Sequence, residues 1–327
     1  MSETTELGTQ VGRVSDDSST DPVPAPVKID TPTKRADHRR HTATGMVLVA
    51  APTAVVLVFV AFPVFNALLF SLGFTGGINS TLAEIGQDII STPSFAVFEN
   101  LFHDSMYMRD LGATLIVTFA STVLTIGAAC VISIILRLYG GYLGKLLSIL
   151  AVVPLFVPVV IASWAILTFY DGTGFLRSVA ASLGFSAPTW GFTLTAVTIG
   201  SVWTSLPFAV LLIAGAMQGI PDALLEAAHD AGAGNWQAIW HVLLPLAKIP
   251  LTIASTFTFI GVLGSFTVPY FTGPNSPTML GVDLSRYFTA FNRPQQSTAQ
   301  AFVVFAFASV AAGLYLWATM HSNEQTS

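Results

Sequence analysis

The chain is short of charge. Asp, Glu, Lys and Arg make up only 9% of its 327 residues, and 53% are hydrophobic. A soluble domain carries about a quarter charged residues, so this balance points to a membrane protein. Cysteine is nearly absent too. Cys130 stands alone within an apolar run, which excludes an intrachain disulfide and a cysteine metal cluster. There is no basic surplus: the formal net charge is -5, and no nucleic-acid partner is expected. Seven of the 18 acids (Glu3, Glu6, Asp16, Asp17, Asp21, Asp30 and Asp37) fall in the first 37 residues, which leaves the remainder poorer still in carboxylates.

Catalytic signatures are also missing. His103 adjoins Asp104 and His229 adjoins Asp230, but neither pair has a third partner at useful spacing, so both read as solvated loop residues. "YGGYLGKLL" (139–147) imitates a phosphate loop and fails. Only three residues separate Gly140 from Gly144, and Leu146 follows Lys145 where Ser or Thr is required. The chain therefore does not hydrolyse ATP itself. No enzyme activity, cofactor or metal site is expected.

What is present is six apolar stretches, at 46–72, 111–136, 146–169, 194–217, 251–271 and 298–320. None contains Asp, Glu, Lys, Arg or His. Each approaches the roughly 20 residues that cross a bilayer as a helix. A mid-bilayer charge costs about 2.5–3.5 kcal/mol on insertion scales, so the absence supports all six as spans. It also argues against an ion-coupled secondary transporter, which needs ionisable groups inside its spans. The fold expected is all-α with six transmembrane helices. Residues 1–45 are rich in Ser, Thr, Asp and Pro and read as a disordered tail. The first span and its following loop occupy 46–107, the core with five spans 108–320, and a short tail 321–327.

Basic residues set the orientation. With the N-terminus inside, cytoplasmic segments hold Arg13, Lys28, Lys34, Arg35, Arg39, Arg40, Arg137, Lys145 and Lys248, and outer segments hold Arg109, Arg177, Arg286 and Arg293. Nine against four places both termini in the cytoplasm. The segment 218–249 then faces the cytoplasm between the fourth and fifth spans.

That segment contains "EAAHDAGAGNWQAIWHVLLP" (226–245). Pro221, Asp222 and Glu226 suit a helix start. "AGAGN" breaks the helix. From Trp236 the apolar positions Trp236, Ile239, Trp240 and Leu243 follow one helical face, and Pro245 is placed to bend or end it. The spacing predicts two short helices meeting at a small-residue corner. Such a pair either lies on lipid headgroups or admits the close approach of another protein.

Glu226-Ala227-Ala228, then Gly232, then nine residues to Val242-Leu243-Leu244-Pro245, resembles the EAA loop of permease subunits of bacterial binding-protein-dependent ABC importers, with Val242 in place of the family's Ile. The resemblance extends over about 108–320. It implies the type-I ABC importer permease fold and a multi-pass protein of the bacterial inner membrane. It also implies alternating access driven by partner ATPase subunits, beside a second permease, identical or homologous, and an extracytoplasmic solute-binding protein. The coupling residues implied are Glu226, Ala227, Ala228, Gly232, Trp236, Leu244 and Pro245. Ala231 before Gly232, with Asp230 one place earlier, and the segment 263–282 are similar to the spermidine/putrescine-type branch. A polyamine-like small organic solute is therefore the first expectation, and a sugar the alternative. Trp164, Trp203, Ser205, Ser265, Thr267 and Tyr270 are candidates to line the substrate path; each also suits helix packing or interfacial anchoring.

Overall fold

A computed structural model describes residues 48–324, all-helical apart from turns and loops, with no strand among them. The expected tail of residues 1–45 lies outside the described residues, as do 325–327. The described chain falls into two units, 48–59, which is helical, and 60–324. Five helices are long and apolar enough to cross a membrane: Leu48–Ser71 (α1), Ser105–Leu138, Val159–Ser182, Leu194–Gln218 and Pro294–Trp317. A bent pair, Asn235–Leu246 and Lys248–Leu263, makes a sixth if counted as one span.

Three helices form the centre of the larger unit. Ser105–Leu138 (α3, after the short α2, Ala96–His103) packs most extensively on Leu194–Gln218 (α6), and Lys248–Leu263 (α9) packs on both. Their shared core is built from small residues, Ala129 of α3, Ala209 and Ala214 of α6 and Ala254 of α9, with Val210, Ile213 and Met217 filling between. Small side chains let backbones approach closely where lipid offers no hydrophobic drive to associate. Thr114, Thr118, Ser121, Thr125 and Ser133 recur along one face of α3 and are all fully buried. Hydroxyls thus serve on this face where a soluble protein would also use charge.

Two expected spans are not straight. The stretch 146–169 was expected as one helix, but it is divided into Tyr142–Val152 (α4) with a tight turn Val153–Phe156, then Val159–Tyr170 (α5). Pro158 is the cause. It starts α5 as its N-cap, and it forces Val157 before it into an extended conformation (φ -107°, ψ 121°). After a turn at 171–174 the chain resumes as Phe175–Ser182. The stretch 251–271 likewise ends early. Helix α9 stops at Leu263, and the short helix Thr267–Thr272 (α10) follows the break. The chain then forms Leu280–Thr289 (α11) and Pro294–Glu324 (α12).

Candidate functional site: a glycine corner at one end of the bundle

Helix α3 has 34 residues and is therefore about 50 Å long. The corner lies at its C-terminal end. Pro221 caps Asp222–Asp230 (α7), and Asp222 sits in the first turn, where the helix dipole favours an acid. Arg137, one residue from the end of α3, donates from Nη2 to Asp222 Oδ1 at 2.5 Å and to the Ile220 carbonyl at 2.7 Å. Leu225, buried on α7, joins Ile220, Ala238 and Leu243 in a small separate core.

The helix ends at Gly232, which has φ +85°. The Gly232 amide donates to the His229 carbonyl at 2.8 Å, and the Ala233 amide to the Ala228 carbonyl at 3.0 Å. This is the Schellman arrangement, with glycine in the left-handed position that closes it. The second helix, Asn235–Leu246 (α8), starts at once. Gln237 folds back so that Oε1 accepts the Gly234 amide at 3.0 Å, and His229 Nε2 meets Asn235 Oδ1 at 3.1 Å across the corner. Between α7 and α8 lies a concavity of about 300 Å³ lined by Ala228, Ala231, Gly232, Ala233, Gln237, Ala238, His241 and Val242.

Pro245 neither ends nor sharply bends α8. The preceding turn widens into a π-helix over Ile239–Leu243, which relieves the clash between a proline ring and the carbonyl four residues back. The bend, 70°, comes just after, between Leu246 and Lys248. Glu226, Ala227, Trp236 and Pro245 are exposed, Ala228 is half-buried on the concavity, and Leu244 is half-buried against the main core. The seven residues thus do not share one surface: Leu244 packs inward. Trp236 and Trp240 form an edge-on pair with ring centroids 5.7 Å apart.

The residues expected along a substrate path come from neighbouring elements. Trp164 of α5 lies 6.3 Å from Phe271, which touches Tyr270 of α10, and Tyr270 stacks on Phe266 at 5.0 Å. Trp203 lines an apolar pocket of about 330 Å³ with Ile161, Ala165, Ile166 and Tyr170. Ser205, Ser265 and Thr267 are half-buried on or beside α6 and α10.

One sequence reading needs correction. Asp104 is not simply solvated: it caps α3 through Oδ1, which accepts the Met106 amide, and its Oδ2 accepts the Tyr287 hydroxyl at 3.2 Å. Asp283, which no sequence motif marks, is buried on α11. Sequence reasoning also missed Arg137, which it counted only as a topological charge.

Residues 128–323 match the family model for the binding-protein-dependent transport system inner membrane component. The sulfoquinovosyl glycerol transport system permease protein of Agrobacterium fabrum is 28% identical over 294 residues, covering 83% of this chain and 88% of that protein. The trehalose transport system permease protein of Mycobacterium tuberculosis is 26% identical, covering 81% and 84%. A bacterial ABC transporter that imports the acidic polysaccharide alginate contains a chain of the same fold, with TM-score 0.70 at 18% identity, covering 90% of this chain and 99% of that one.

Proposed function

The chain belongs to the family of binding-protein-dependent transport system inner membrane components, and on that premise we propose that it forms half of the translocation pathway of an ATP-driven importer for a sugar-type, polyhydroxylated solute. The polyamine expectation gives way here. It rested on Asp230 and Ala231 and on the segment 263–282, whereas the relatives named above transport a glycosylglycerol and a disaccharide. The observation that carries the sugar reading is the path's chemistry. Trp164, Phe271, Tyr270 and Phe266 form a chain of ring contacts, with the hydroxyl residues Ser265 and Thr267 flanking Phe266 in sequence. Flat aromatic faces and neutral hydroxyls suit a sugar ring, while a polycation requires acids.

Coupling runs through the corner. The concavity at Gly232, exposed Glu226 and Ala227, and the Trp236–Trp240 pair face the cytoplasm and receive an ATPase subunit. Closure of two ATPase subunits on ATP pushes the corners of this chain and a second permease. Arg137 carries α7's displacement to α3, and the spans rock outward toward a loaded extracytoplasmic binding protein. Each partner must contact the two conformations differently for this to work. Catalysis stays with the ATPase.

Uptake in cells expressing this chain with its partner subunits tests the substrate. A labelled disaccharide or glycosylglycerol should accumulate, excess spermidine should not compete, and Tyr270→Ala should lower uptake with the protein still in the membrane. Competition by spermidine but not by sugars would overturn the sugar reading.

A further inference from the structure

At the opposite end of α3 from the corner, buried oxygens come together from three stretches far apart in the chain. Asp110 and Asp283 are 2% and 3% exposed. Asp110 Oδ1 accepts the Thr278 amide at 2.9 Å, and Asp283 Oδ2 accepts Gln300 Nε2 of α12 at 3.1 Å. The charge of Asp110 acts on Asp283, and that of Asp283 on Tyr107. Neither forms an ion pair; among the described residues the ion pairs are Arg137–Asp222 and Arg293–Asp88. The nearest cations hydrogen-bond neutral oxygens, Arg286 to Asn275 and Arg109 to the Ser105 carbonyl, and offset the acids' charge only from a distance, Arg286 at both acids and Arg109 at Asp110.

Three further oxygens around this pair are buried without a hydrogen-bond partner: the Tyr107 hydroxyl, Thr278 Oγ1 and Gln300 Oε1. All three residues are 0–1% exposed. Gln300 bonds Asp283 through its side chain, and Thr278 bonds Asp110 through its backbone amide. Two buried carboxylates and three unsatisfied neutral oxygens are a costly set to desolvate. No His or Cys contributes, and no group of three or more His, Cys, Asp or Glu among the described residues could hold a metal. The site is instead two acids completed by neutral oxygens.

We propose that Asp110, Asp283, Tyr107, Thr278 and Gln300 form a binding site for a hard divalent cation, calcium, which ties the 273–290 segment to the ends of α3 and α12. Two carboxylates match the charge, and an all-oxygen set matches the ligand preference. Calcium accepts irregular sets of six to eight oxygens, whereas magnesium demands a near-ideal octahedron. The cation binds the ionised acids, so protons compete with it. Burial, then the charge of Asp110, pushes Asp283 up to about 6. Asp104 adds to the push, while the Gln300 bond and Arg286 oppose it. Tyr287, on the same helix, is raised to about 12 and stays protonated. Without the cation, the stability that protonated Asp283 contributes is present at low pH and is lost as pH rises through about 6.

The test uses the full chain in lipid nanodiscs, stripped with chelator and then given calcium. Elemental analysis should find one calcium per chain, and the unfolding midpoint should rise. Affinity should weaken as pH falls through about 6, because protons compete for Asp283. Asp283→Asn should bind none and should melt above wild type in chelator. Tyr107→Phe, a milder change, should stay folded and lose affinity by about tenfold or more. An Asp88→Asn control should leave binding intact. The proposal is overturned if stripped wild type takes up no calcium at any pH and regains stability only as pH falls through 6, because a proton then neutralises the pair. It is overturned equally if Asp283→Asn still binds, or if magnesium binds as well as calcium.

Discussion

Gly232 holds φ at +85°, and a Cβ built on it would meet nothing within 4 Å. Any penalty for a side chain is therefore conformational within this chain, about 1–2 kcal/mol for an L-residue held in the left-handed region. Asparagine tolerates that region and valine resists it. Gly232→Val should fray the end of α7 and abolish uptake, whereas Gly232→Asn should keep the corner and fail only to the extent that its added volume meets the ATPase. Uptake, ATPase co-purification and membrane level, measured together, separate the two effects. Arg137→Gln should also impair uptake, since it frees both the Ile220 carbonyl and Asp222. The stability loss stays near 1 kcal/mol because Asp222 is 75% exposed. Asp222→Asn should be milder, because the bond from Arg137 to Ile220 survives. The Gly232 turn could be read from sequence, since a helix stop is a local matter of glycine and small residues. The Arg137 tie could not: its partners lie on another element, and a lone arginine at a span end looks the same whether it sets topology or bonds a helix.

Helix existence followed from the apolar runs, but helix continuity did not. Hydropathy averages over a window, so the run 146–169 looked uniform across Pro154 and Pro158, where the backbone in fact changes direction. The same averaging hid the end of α9 at Leu263. Packing between elements was equally silent, and Gly200 shows why. Its Cβ would fall 2.6 Å from Val268 Cγ1 and 3.3 Å from Ile166 Cδ1, a close approach of α6 to α10 and α5 that no periodicity reveals. Gly200→Ala should cost about 1–3 kcal/mol through overpacking. Val268→Ala, harmful alone, should recover part of that loss in the double variant. A double-mutant cycle on thermal unfolding in detergent would read the coupling, and additive losses would place the clash elsewhere.

For the whole molecule, the orientation proposed from nine basic residues against four can be tested with single cysteines in a Cys130→Ala background. Asn79 would be a poor probe, because it is buried and its Nδ2 bonds the Asn66 and Phe74 carbonyls. Ile78, 68% exposed, is the better choice. Ile78→Cys should react with an impermeant thiol reagent in intact cells, and Ala231→Cys only after permeabilisation; the reverse pattern would invert the topology. The proposed coupling depends most on one contact, the docking of the α7–α8 corner in an ATPase subunit. A photo-crosslinking side chain in place of Ala231, on the rim of the concavity beside Gly232, measures it directly in cells expressing the partner subunits. Capture of the ATPase from this position, lost when the same side chain replaces Ile78, is the predicted result. Crosslinks to lipid alone from Ala231, with the ATPase present and transport active, would contradict it.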